Sequence, residues 1–182
     1  SLIFIPFGAA LCALAFWPFV RRHLNFQQVW FIALLGYATH GLLDACTTYG
    51  TLLLWPFSDV RIAWNNVSVV DPLFTLPLLA AVVVAGVKQS ALAARIGMAW
   101  AVLYLILGFV QQERAIAAGE AVAASRGHHD VKVSSKPSFG NIVLWKVIYE
   151  HNNRYWVDAV RVATDAQLIK GDNVARLGIG QH

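Results

Sequence analysis

The sequence predicts a mostly α, polytopic membrane protein with about four transmembrane helices, followed by a small β-rich extramembrane segment. Three observations carry that class. Only 13% of the 182 residues are charged while 58% are hydrophobic, whereas a soluble domain carries roughly 25% charged residues. The charges are also unevenly spread: residues 1–112 hold 5 of the 14 Lys/Arg and 3 of the 10 Asp/Glu, and residues 113–182 hold the other 9 and 7. Finally, the oily part breaks into runs close to the roughly 20 residues that a helix needs to cross about 30 Å of hydrocarbon. The organisation expected is a transmembrane helical domain over 1–125 and a small β-rich domain over 126–182, read as incomplete. A net charge of +4 shared between both parts builds no basic stripe for a phosphate backbone, so nucleic acid is not an expected partner and membrane lipids are. Cys12 and Cys46, both in apolar runs, form neither a disulfide framework nor a Cys-x-x-Cys signature.

The first span is SLIFIPFGAALCALAFWPFV, residues 1–20, which has no charged side chain. It lacks the basic leader of a signal peptide and exceeds the usual apolar core of one, so it reads as a span. The second runs from about Gln28 to Cys46, the third from about Asp71 to Val87 and the fourth from about Ile96 to Val110. Pro72 suits the first turn of the third helix, whereas Pro77 should kink it unless the helix begins later. Arg21 and Arg22 lie between the first two spans and Lys88 and Arg95 between the last two, against Arg61 alone in residues 47–70. By the positive-inside rule the two basic loops are cytoplasmic, and residues 47–70, the amino terminus and the carboxy-terminal part lie outside. Trp17 and Trp30 flank the first basic loop, as interfacial anchors or ordinary lipid-facing side chains do.

Beyond Val110 the Ala-rich QQERAIAAGEAVAASRG continues the fourth helix past the bilayer until Gly127 stops it. NIVLWKVIYE and YWVDAVRVA flank HNNR, and two runs rich in Val, Ile, Tyr and Trp around an Asn-Asn turn predict a β-hairpin, with DVKVSS as a further strand. A hairpin alone is marginal, so this piece needs more strands or a helical surface.

Two ionisable residues stand inside the second span, His40 and Asp44 in GYATHGLLDAC. Charge in hydrocarbon is costly, so such residues usually face a bundle interior and carry function. Four residues apart, they share one helical face. An imidazole and a carboxylate suit zinc, manganese or ferrous iron better than calcium or magnesium; a His–Asp hydrogen bond that fixes helix packing is the plain alternative. Thr47, three residues past Asp44, can reach the same face. Asp71 before Pro72 serves either as a helix N-cap or as a carboxylate at the site, and Arg61 either binds a phosphate or carboxylate or lies in solvent. Ser58 and Asp59 read as turn residues after Pro56. His128, His129 and Asp130 have the composition of a metal cluster, and a solvated linker accounts for them as well.

The order His-x-x-x-Asp, Thr-x-x-Gly, Trp-Pro-Phe-Ser and Val-Asp-Pro-Leu-Phe over about residues 30–80 resembles the bacterial membrane-bound metal-dependent hydrolases of the YdjM-like type. The resemblance implies a multi-pass protein of the bacterial inner membrane with a divalent metal cofactor, zinc or manganese foremost. It implies His40 and Asp44 as metal ligands, with Thr48, Tyr49, Gly50, Ser58 and Asp71 lining the site. The family carries a His-Arg-x-x-Thr-His-Ser-Leu motif upstream, and Ser1-Leu2 looks like its last two residues, which implies a chain that starts just after those further ligands. The expected activity is hydrolysis at the membrane surface, with Asp71 as general base or further ligand and a substrate that is a small molecule or lipid-like, or phosphate-containing. A proton or ion pathway through His40 and Asp44, and a scaffold whose β-rich tail binds a partner, remain the alternatives on sequence.

Overall fold

The structure is a computed structural model that describes residues 1–176; residues 177–182, the end of the predicted β-rich segment, lie outside the described residues. Contacts gather the chain into two compact units that meet between Trp64 and Asn65.

In the first unit a single 3-10 turn, Leu2–Phe4, runs into α1, Ile5–Val20, and a short turn leads to α2, Phe26–Cys46. Asn25 and Gln28 start α2 with a reciprocal capping box: the Asn25 side chain accepts from the Gln28 N–H and the Gln28 side chain from the Asn25 N–H, each at 2.9 Å. Two of the four orphan amides of the helix start are thereby satisfied. Ala9 and Ala13, one turn apart, are fully buried, and their small side chains let α1 and α2 pack closely. Phe7, Leu11, Leu14 and Phe19 on α1 and Phe31, Ile32 and Leu35 on α2 point outward. Helices apolar on nearly every side are built for lipid as solvent.

In the second unit α3, Pro72–Lys88, and α4, Ala91–Ser125, form a helical hairpin. Asp71 caps α3, Gln89 ends it in the left-handed region (φ 50°), and the Ser90 side chain caps α4 by accepting from Ala93 N–H. Pro72 opens α3 as the sequence predicts, and Pro77 lies inside the helix. Among the described residues, three helices are long and apolar enough to cross a membrane: Leu2–Val20, Phe26–Cys46 and Ala91–Ser125. The third predicted span is the shorter apolar helix Pro72–Lys88, whose 17 residues reach about 25 Å, because Asp71 and Gln89 close it at both ends.

The sheet is a four-stranded antiparallel meander, β1 (Ser134–Pro137), β2 (Leu144–His151), β3 (Arg154–Val162) and β4 (Ala166–Ala175), in that spatial order. The predicted hairpin is β2–β3; Asn152 and Asn153 both take positive φ (51° and 58°), as a two-residue hairpin turn requires. The further strand starts later than DVKVSS suggests, at Ser134, and β4 was not foreseen. Trp145, Val147 and Tyr149 of β2 and Val160 and Val162 of β3 are buried, and α4 packs against the sheet. Gly119 makes this approach work, since a Cβ there would sit 2.9 Å from Val133 Cγ1 and 3.2 Å from Val147 Cβ. Gln111 and Arg114 of α4 donate to the carbonyls of Val162 (2.8 Å) and Thr164 (2.9 Å).

Arg126, the C-cap of α4, ties helix to sheet. Its guanidinium donates in bidentate fashion to Asp158, at 2.6 and 2.9 Å, and to the Tyr149 hydroxyl at 3.0 Å. The Asp158 side chain is 1% exposed. Burial pushes its carboxyl up, but Arg126 and the Gly171 N–H (2.8 Å) outweigh that and hold it below the ordinary value. The His128 ring stacks on His151 at 3.9 Å between centroids, and its Nδ1 lies 3.2 Å from the Tyr149 hydroxyl. Burial first, then the charges of His151, Arg126 and His129, push the His128 imidazole down.

Replacing Arg126 with Ala leaves a buried carboxylate without its partner, with an expected loss of about 3–5 kcal/mol; amide exchange in β2 and β3 measures it. Acid acts in the same direction. His128 binds a proton less readily folded than unfolded, so its contribution is complete above the unfolded value of about 6.5 and is lost as pH falls below it. Asp158 adds a loss at lower pH, through its depressed folded value. Exchange protection of the sheet should fall between about pH 7.5 and pH 5, and His128→Phe, which keeps the stacked ring, should flatten that first step.

Candidate functional site

The helix α2 carries His40 and Asp44 on its last two turns, with His40 Nδ1 3.2 Å from Asp44 Oδ2. By the helical rise of about 1.5 Å per residue, His40 lies about 9 Å and Asp44 about 3 Å from the helix end at Cys46. The pair is open: the side chains are 72% and 49% exposed. Intramembrane charge is expected to face a bundle interior, but this pair stands near the end of its helix, where the water interface is within reach and the cost of charge falls. Because Nδ1 faces the carboxylate, Nε2 points away from it.

The loop after α2 is held by a small set of bonds. Thr47 caps α2, its N–H and hydroxyl both donating to the Asp44 carbonyl at 3.1 and 2.8 Å. Its hydroxyl proton is therefore used at the helix end. Thr51 and Ile62 form an antiparallel bridge with 2.9 Å bonds in both directions, and Gly50 (φ +62°) lies so close that a Cβ would meet the Ile62 carbonyl at 2.4 Å. A glycine is demanded there by conformation and by space. Arg61 donates to the carbonyls of Tyr49 (3.0 Å) and Gly50 (3.3 Å), which draws Tyr49, Gly50 and Arg61 into one knot. The Tyr49 ring itself is exposed. Trp64 N–H donates to the Ala45 carbonyl at 2.7 Å, and Leu2 N–H to Leu53 at 2.9 Å; the Ser1 hydroxyl donates to the Trp55 carbonyl. Ser58 accepts from the Val60 N–H at 3.2 Å, the turn role read from sequence. A polar cavity of about 350 Å3 is lined by Ser1, Gly50, Thr51, Leu52, Trp55 and Arg61.

Asp71 belongs to the second unit, and its two oxygens are both engaged there. Oδ1 accepts from the N–H groups of Leu73 (3.0 Å) and Phe74 (3.3 Å), and Oδ2 from the Tyr104 hydroxyl at 2.7 Å; the residue is 2% exposed. Of the two roles the sequence offers for it, this geometry is that of the cap. Tyr104 is the partner that sequence reading missed; a lone phenol in the middle of an apolar helix was the available signal, because a buried tyrosine hydroxyl needs a partner. Nearby, Asn66 is fully buried and donates to the Leu105 carbonyl at 3.3 Å.

His40 and Asp44 offer one nitrogen and one oxygen, a donor chemistry that fits zinc or manganese. Among the described residues, no group of three or more His, Cys, Asp and Glu is placed to hold a metal ion. His128, of the second composition-based cluster, packs into the aromatic group of Tyr149, His151 and Trp156, while His129 and Asp130 are exposed.

Apolar helices of spanning length, a polar pair near the end of one of them and a small antiparallel sheet together define a multi-pass helical membrane protein. The family model described as YdjM inner membrane protein matches residues 1–115, and the chain belongs to that family, as a multi-pass inner membrane protein. The match takes in every residue singled out from His40 to Asp71 and ends before the sheet. No curated protein and no solved structure matches the chain.

Asparagine is as good an N-cap as aspartate, and its amide N–H can donate to the Tyr104 phenol oxygen where the carboxylate accepts from it, so Asp71→Asn should keep the fold. Asp71→Ala removes a cap worth about 0.5–2 kcal/mol and strands the Tyr104 hydroxyl, at about 1–3 kcal/mol more. Thermal melting of both variants in detergent should separate them clearly.

Proposed function

We propose that the chain is a metal-dependent hydrolase acting at the membrane surface, with His40 and Asp44 as its metal ligands, zinc or manganese as its ion, and a lipid-like or phosphate-containing substrate. The observation that carries this reading is the His40–Asp44 contact of 3.2 Å on an open face. A hydrogen bond made only to fix helix packing would be sheltered by the neighbouring helix, and this one is not. With its proton on Nε2, the His40 ring turns the Nδ1 lone pair toward Asp44, and a nitrogen and an oxygen 3.2 Å apart would hold one ion between them. A divalent ion supplies polarisation of the scissile carbonyl or phosphoryl group and a bound water more acidic than free water.

The remaining residues have positioning roles in this reading. Thr47 fixes the end of α2 directly beneath the pair. The Gly50–Arg61 knot holds the following loop, and Asp71 fixes the start of α3. Hydrolysis adds water across an ester or phosphoester bond, its oxygen joining the acyl or phosphoryl centre and a proton leaving with the displaced oxygen.

Metal analysis of the purified protein, with esterase and phosphatase assays on the same samples, tests the reading. His40→Ala and Asp44→Ala are each expected to lose ion and activity together. Unchanged metal content in both variants would sink it, and pH-dependent proton flux in proteoliposomes from such metal-free protein would point to a pathway instead.

A further inference from the structure

Between α1 and α2 runs a groove of about 470 Å3, within the range of about 300–1,000 Å3 typical of small-molecule sites. Phe16 of α1 and Val29, Ala33, Gly36 and Tyr37 of α2 are among its walls, and it closes on His40. Along α2 the lining from Val29 to His40 covers about 16 Å, more than half of the roughly 30 Å hydrocarbon core. Every lining position apart from Cys12, Tyr37 and His40 is apolar, and the Cys12 thiol and the Tyr37 hydroxyl, 3.5 Å apart, pair with each other. A sugar or a nucleotide would leave its hydroxyls without partners there. A packing helix would fill the groove but would have to bury the His40–Asp44 pair beside it, an expensive step for two ionisable groups. An amphiphile meets both ends at once, with hydrocarbon along the groove and its polar group at the pair.

We infer that this groove seats the acyl chain of the substrate, an amphiphilic lipid whose hydrolysable polar group lies at His40 and Asp44. The word substrate rests on the hydrolase reading above; the seat itself does not. Gly36 gives a direct handle, because a Cβ there meets nothing within 4 Å. A side chain added there starts in open space at the groove wall. Gly86 on α3 is equally open and is the control of equal bulk away from the groove.

The full chain is reconstituted in phosphatidylglycerol vesicles doped with a phosphatidylglycerol that carries a diazirine in its palmitoyl chain, irradiated, and mapped by mass spectrometry of peptides. Labelling is expected to concentrate on the groove residues of α1 and α2. Gly36→Phe should lower it by about tenfold, the change that about 1.4 kcal/mol of lost affinity produces, while Gly86→Phe leaves it unchanged. His40→Ala should keep the labelling and abolish hydrolysis of the same lipid. Labelling spread evenly over both helices and indifferent to Gly36→Phe overturns the seat, as do crosslinks to a second copy of the chain in place of lipid. Hydrolysis that needs His40 but ignores Gly36→Phe overturns the seat and leaves the hydrolase reading standing. Gly36-dependent labelling in a protein that hydrolyses nothing overturns the substrate role and the hydrolase reading together.

Discussion

Over its first 20 or so residues α4 faces outward with Leu92, Ile96, Met98, Leu103 and Ile106 exposed, and in hydrocarbon every peptide group there must find its partner within the helix. The same unbroken helix, 35 residues and about 50 Å long, then turns a face of small side chains toward a sheet, with Ala115, Gly119 and Ala123 buried. The change of solvent along one rod organises its unit. Where the helix is apolar all round, α3 packs beside it and the buried Asn66 lies against Gly108 and Leu105. Where it becomes polar, the side chains of Gln111, Arg114 and Arg126 reach sideways to the sheet. The Arg126–Asp158 pair completes this arrangement, because a buried carboxylate so close to the helix end is tolerable only with a guanidinium supplied by that end.

What could be read from the sequence follows from which signals are local. Apolar runs poor in charge are local, so all four helices were legible, as was the Asn-Asn hairpin with its two left-handed residues. Gly127 as the stop of α4 is also a local signal. The strand β4 was not, since AQLIKGDNVA places Lys170, Gly171 and Asp172 in its middle. It forms because β3 presents a free edge and because the Gly171 N–H finds Asp158, a partner thirteen residues away that no periodicity announces. The run read from Asp71 to Val87 is the observed helix Pro72–Lys88 to within one residue, and its 17 residues leave three helices of spanning length among the described residues where the sequence suggests about four.

At the site the legible part was the i, i+4 spacing, which a helix converts directly into a contact. What spacing could not convey was competition for polar atoms. Thr47, Ser58, Arg61 and Asp71 all have the chemistry of site residues, yet each has a nearer backbone or hydroxyl partner in the structure. Backbone amides and carbonyls freed at the ends of helices outnumber any ligand, and short polar side chains beside them are taken up first. His40 and Asp44 lie one turn apart on the same face of α2, and each finds its near partner in the other.

Nearly all pairing in the chain joins neighbours in sequence: α1 with α2, α3 with α4, and each strand with the next. Such connectivity has a consequence for biosynthesis. Each hairpin is complete as soon as its second half has been made, so α1–α2 can enter the bilayer as a finished pair before α3 exists, with little loop-closure entropy to pay. The sheet is the exception, because its helix partner precedes it. Until β2 and β3 emerge from the ribosome, the face of α4 around Gly119 stands uncovered, and its closing has to wait for strands translated after it.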